Sequence, residues 1–114
     1  HRQGCIERSL RLLEEGLRVR GPDATLLIEM ANIHRWARGD LEAAAVHYRR
    51  AARVRGAPYY AGRIYGELLV ALGRPAEALD WLRQLRRVLP ADDPAARVQV
   101  VEARIRALEA GQGP

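Results

Sequence analysis

The chain has 114 residues, 48% of them hydrophobic, enough for one compact unit with its own core. Aromatic residues make up 5% and Phe is absent, so that core must come from Leu, Val, Ile and Ala. The net charge is +5, and a single cysteine, Cys5, excludes an internal disulfide and gives no sign of an oxidising compartment.

All 19 basic residues are arginines, a bias that fits a GC-rich, bacterial-type genome better than arginine-specific chemistry. No apolar run approaches the roughly 18–20 residues that span a bilayer, and the N-terminus shows no signal-peptide pattern. A cytoplasmic location is favoured. The chain reads as a piece of a longer protein, because it begins inside a repeat.

In chain order, Ile6–Arg20 places Ile6, Leu10, Leu13 and Leu17 on one helical stripe and its charges opposite, with Glu7–Arg11 and Glu14–Arg18 as supporting pairs one turn apart. Gly21-Pro22-Asp23 stops this helix, and Asp23 is an N-cap for a second over Ala24–Arg38. Leu27, Met30, Ala31 and His34 form its stripe, widened by Leu26, Ile28 and Ile33. After Gly39, Asp40 caps a third helix over Leu41–Arg55, with Ala44, Tyr48 and Ala51 inward and Arg49, Arg50 and Arg53 in water. Gly56-Ala57-Pro58 precedes a fourth helix over Tyr59–Leu72. Gly73-Arg74 precedes a fifth over Pro75–Leu89, where Pro75 suits the first helical position. A last helix follows over Pro94–Ala110, capped by Asp93, and 111–114 read as a tail.

These elements repeat. Gly4, Gly39 and Gly73 lie 35 and 34 residues apart and read as loop glycines. Small residues follow five positions later (Ser9, Ala44, Ala78) and large ones nine later (Leu13, Tyr48, Leu82). Gly16, Ala51 and Leu85 follow at twelve, and Val19, Val54 and Val88 at fifteen. Such a period signals stacked helical hairpins that bury no complete core alone.

Residues 59–90 carry Gly62-x2-Tyr65-Gly66-x2-Leu69, then Ala78-x3-Leu82, then Pro90. The preceding stretch carries Leu27-x2-Met30-Ala31-x2-His34, then Ala44-x3-Tyr48 and Pro58, its first helix one residue longer. This pattern resembles the tetratricopeptide repeat family, whose units are helix pairs of about 34 residues. The resemblance covers nearly the whole chain: a half unit at 5–21, full units at 23–57 and 58–91, and a terminal helix at 93–110. It implies an all-α fold, a right-handed α-α superhelix or solenoid of antiparallel helix pairs, with about three units and six helices in one domain. It also implies a non-catalytic scaffold that binds a peptide or partner helix in a concave groove.

In the family that groove is lined by the first helix of each pair. Carried onto this chain, the resemblance points to Thr25, Glu29, Asn32 and Trp36 in the first full unit, and to Tyr60, Arg63, Ile64 and Glu67 in the second. Asn32 can hydrogen-bond a peptide backbone, Trp36 and Tyr60 offer rigid contact area, and Arg63 can pair with a carboxylate. The carboxylate-gripping set of some family members is not expected, since its lysine is missing and Glu29 and Glu67 carry the wrong charge.

An alternative site is a basic ridge on the second helices, made of Arg18, Arg53 and Arg87 at equivalent places and of Arg49 and Arg83 one turn earlier, where the first segment has Glu14. It would suit nucleic acid or anionic membrane. No aromatics are interleaved to stack on bases, so a solvated helix face is the plainer reading. Phosphate loops, nucleophile motifs and His or Cys pairs at metal-ligand spacing are lacking, so no enzyme activity, metal or cofactor is expected. His34 reads as a packing residue with one nitrogen satisfied. An accessory module of a larger enzyme, such as a transferase, is a further alternative. Self-association through the first or last helix is expected if those helices leave apolar faces open.

Overall fold

The computed structural model describes residues 2–90, 92–93 and 96–111. Among these the chain is all-α, with no strand. The helices are α1 (Arg2–Arg20), α2 (Ala24–Asn32), α3 (Leu41–Ala52), α4 (Tyr59–Ala71), α5 (Pro75–Val88) and α6 (Arg97–Glu109). Between α2 and α3 the helix widens into a π-helical turn, Ile33–Ala37. The chain divides into two compact units, His1–Tyr65 and Gly66–Pro114, and the division falls inside α4.

In the first unit α2 packs most extensively on α3, and α1 lies against α2. Leu27, Ile28, Met30 and Ala31 of α2 are buried, as are Ala44, Ala45, Tyr48 and Ala51 of α3, with Leu10 of α1. The alanines matter sterically: Ala31, Ala44 and Ala51 are fully covered, and their small side chains leave room in the core for the buried Tyr48 ring. Asp23 accepts from the Leu26 amide at 3.0 Å, and Asp40 accepts from the Ala43 amide at 3.0 Å. Each carboxylate thereby satisfies a helix-start donor that has no carbonyl partner of its own.

In the second unit Leu68, Leu69, Ala78, Leu82, Val98 and Val101 are buried. Gly66 marks a close approach of α4 to α5: a Cβ at this position would stand 3.1 Å from Leu82 Cδ2 and 3.4 Å from Trp81 Cδ1. Ion pairs join α5 to α6, Arg86–Glu102 and Arg83–Glu109, each at 2.8 Å.

Gly39 (φ 64°) and Gly73 (φ 75°) close their helices in the same way, with left-handed backbone and open space around the Cα. The closing hydrogen bonds differ by one residue. At Gly73 the Arg74 amide reaches back five residues to the Leu69 carbonyl at 2.8 Å, a Schellman closure. At Gly39 the Asp40 amide reaches back six, to the His34 carbonyl at 2.8 Å. The extra residue of the first full unit, 17 positions from Leu27 to Ala44 against 16 from Gly62 to Ala78, is thus taken up by the π turn, where the Arg38 amide donates to the Ile33 carbonyl at 3.2 Å.

Several expectations are corrected. Gly4 lies inside α1, not in a loop, and Ser9 is exposed. Val19 and Val88 recur in sequence but face solvent. Arg18 pairs with Glu15 instead of Glu14, and Glu7 faces Arg38 at 3.9 Å. Asp93 does not stand at the start of α6. It is buried, its carboxylate meets Arg97 at 2.8 Å, and Ala96 (φ 57°) precedes the helix. The expected opening residue, Pro94, lies outside the described residues.

Candidate partner-binding surface

The outer side of α2 and its π turn is set by the covered side opposite. With Leu27, Ile28, Met30 and Ala31 committed to the core, Thr25, Glu29 and Asn32 must project away from it, and all three are exposed. The π turn continues this side to Trp36, which is 71% exposed. The Arg35 guanidinium carbon lies 4.3 Å from the centroid of the Trp36 ring, a cation–π contact that steadies an indole with little else around it. Asn32 also looks inward: the Tyr48 hydroxyl, at the end of a fully buried side chain, donates to Asn32 Oδ1. The Asn32 carbonyl oxygen is therefore engaged in the fold although the residue as a whole is exposed.

At the start of α4, Tyr60 is exposed, and Arg63 and Ile64 are half-buried. These belong to the first unit with α2. Glu67 falls in the second unit, where Arg104 lies 3.9 Å from its carboxylate.

Of the arginines proposed as a ridge, Arg18, Arg49 and Arg53 belong to the first unit and Arg83 and Arg87 to the second. Arg18 is tied to Glu15, which raises the Arg18 pKa and lowers that of Glu15 through their mutual hydrogen bonds. Arg83 is tied to Glu109. Arg49, Arg53 and Arg87 are exposed and make no ion pair among the described residues.

A feature that the linear spacing did not suggest sits under the π turn. His34 and His47, thirteen residues apart, stack with ring centroids 4.9 Å apart and planes tilted by 32°. The usable signal was their position on either side of the Gly39-Asp40 turn, five residues before it and seven after, since an antiparallel hairpin brings its two arms together. His47 Nδ1 donates to the Ala43 carbonyl at 2.8 Å, which fixes that ring. His34 Nδ1 is buried without a hydrogen-bond partner among the described residues. Burial lowers the His34 pKa, and His47 and Arg38 push it the same way against weaker pulls from Asp40 and Glu14.

Among the described residues no three His, Cys, Asp or Glu side chains gather as a metal site, and no helix is long and apolar enough to cross a membrane. Comparison with protein-family models, with curated proteins and with solved structures returns no match.

Proposed function

We propose that this chain is a tetratricopeptide-like array that holds a peptide or partner helix, without catalysis, against the outer side of α2 and the first turns of α4. The observation that carries the reading is the exposed stripe Thr25, Glu29, Asn32 and Trp36, ended by an indole that the fold leaves uncovered yet steadies with Arg35. Large aromatic groups with polar neighbours are what binding hot spots use, and exposing one that fully has a cost in water. Tyr60 adds a second exposed aromatic in the same unit. The arginine reading has less behind it, because two of its five members, Arg18 and Arg83, are spent on acidic neighbours.

Selection from a random peptide display library, followed by calorimetry, tests this. Selected peptides should lose about tenfold or more in affinity on W36A, as a hot-spot aromatic implies, with the helical circular dichroism unchanged. They should tolerate R49Q/R87Q and depend weakly on salt. Peptides indifferent to Trp36 and Tyr60, or binding that collapses with salt and with the arginine variants, would refute it in favour of electrostatic capture.

A further inference from the structure

At the opposite end of the α2–α3 hairpin from the Gly39 turn, where α1 ends, α2 begins and α3 ends, a cavity of about 440 Å³ opens to solvent. That lies within the roughly 300–1,000 Å³ of small-molecule sites. Its apolar lining is Leu17, Pro22, Leu27 and Val54. Leu27 is 2% exposed, so its part of the lining is held in the core. Gly21, at φ 82°, turns the chain past the cavity without a side chain to fill it.

The rest of the lining is Arg50 and Arg53. Both are exposed, and the side chain of neither has an ion-pair or hydrogen-bond partner among the described residues. This sets them apart from Arg18, Arg83, Arg86 and Arg97, each of which meets a carboxylate. No acidic side chain lines the cavity. The lining offers no aromatic ring on which a base or sugar could stack, and no hydroxyl or amide side chain that would recognise a polyol. What remains is an apolar wall beside two uncompensated guanidinium groups, whose donor geometry matches a carboxylate.

We propose that this cavity binds a medium-chain aliphatic carboxylate, with its hydrocarbon body against Leu17, Leu27 and Val54 and its head group at Arg50 and Arg53. The inference does not rest on the peptide-binding reading, since the cavity and the Trp36 stripe share no residue.

Titration of the 114-residue protein with octanoate, below its micelle concentration, tests it by calorimetry and by amide chemical shifts. Saturable one-to-one binding is expected, with shifts concentrated in residues 17–27 and 50–54. Octanol, which lacks the charge, should bind about tenfold more weakly, and R50Q/R53Q should weaken octanoate by about tenfold or more, since a bond to a charged group contributes that much. The variant R8Q/R11Q removes the same formal charge at two exposed residues of the same unit that do not line the cavity, and should leave affinity within about twofold. Val54→Trp, which fills the cavity, should abolish binding while circular dichroism stays unchanged. Lack of saturable binding at low-millimolar octanoate overturns the proposal, and so does equal weakening by the two arginine pairs. Octyl phosphate binding about tenfold tighter than octanoate overturns the carboxylate assignment in favour of a phosphate head group.

Discussion

Replacing Asn32 by Ala should destabilise this protein, and the same replacement should cease to be harmful once Tyr48 is Phe. Tyr48 is 0% exposed and its hydroxyl has Asn32 Oδ1 as its hydrogen-bond acceptor. Y48F removes the donor but leaves Asn32, which is exposed and can turn its oxygen to water. The loss is then that of one ordinary hydrogen bond, about 0.5–1.5 kcal/mol. N32A does the opposite. It strands a buried hydroxyl, at about 1–3 kcal/mol, offset by about 0.6 kcal/mol because Ala is the better helix former. With Tyr48 intact the net cost is therefore about 0.5–2.5 kcal/mol. In the Y48F background only the helix-forming gain remains, and N32A becomes neutral or slightly stabilising. Urea denaturation of the four proteins measures this, or thermal unfolding, where 1 kcal/mol is worth about 3–6 °C at this size. Equal effects of N32A in both backgrounds would refute the reasoning, because the hydroxyl would then have no energetic stake in Asn32.

The glycines of the two units offer a contrast: Gly66→Ala forces a methyl to 3.1 Å from Cδ2 of the buried Leu82 and should cost about 1 kcal/mol net of helix propensity. Gly16→Ala meets only the end of the half-buried Leu26, at 3.0 Å, and should be neutral or stabilising; chemical denaturation that ranks them the other way contradicts this packing. Asp40→Ala should cost about 1 kcal/mol through the lost cap on α3, read as a lower urea midpoint with unchanged slope. For His34 the folded pKa is depressed, so the unfolded chain takes up its proton first as pH falls. Stability from this group is complete above the ordinary value of about 6.5 and declines as pH drops below it. His34→Gln should flatten the stability–pH curve in that window, and an unchanged slope counts against a buried neutral imidazole.

Much of the fold was legible in the sequence because its determinants are local. Asp23 and Asp40 are one-residue signals for a helix start, and both carboxylates take up the donor that the signal implies. Ala44, Tyr48, Ala78 and Leu82 could be assigned to the interior from spacing alone, since a helix presents one stripe to whatever it packs on. Periodicity failed where the repeat continued but the neighbour did not. Val19, Val54 and Val88 hold one register position, yet only Val54 is even half-buried, because sequence equivalence fixes the direction of a side chain and not what lies opposite it. Asp93 failed for a different reason. A capping residue and a buried partner of arginine have the same composition, and only the backbone at Ala96 distinguishes them.

The candidate surface was legible to the same degree and for the same reason. That Thr25, Glu29 and Asn32 point outward follows from the burial of residues one or two positions away, so their exposure was implied by the stripe Leu27, Met30 and Ala31. The inward bond of Asn32 to Tyr48 was not implied, because it joins residues on two helices whose register depends on the turn between them. That register is set by the one-residue surplus before Gly39. The sequence shows the surplus as 17 positions from Leu27 to Ala44 against 16 from Gly62 to Ala78, but not where it is absorbed. A loop could have taken it, leaving the Gly39 closure identical to that at Gly73. Instead the helix takes it, at Ile33–Ala37. The consequence is local and chemical. The extra residue falls in the segment that carries His34, Arg35 and Trp36, so the same widening that keeps α2 and α3 in register also brings His34 over His47 and leaves Trp36 uncovered beside Arg35.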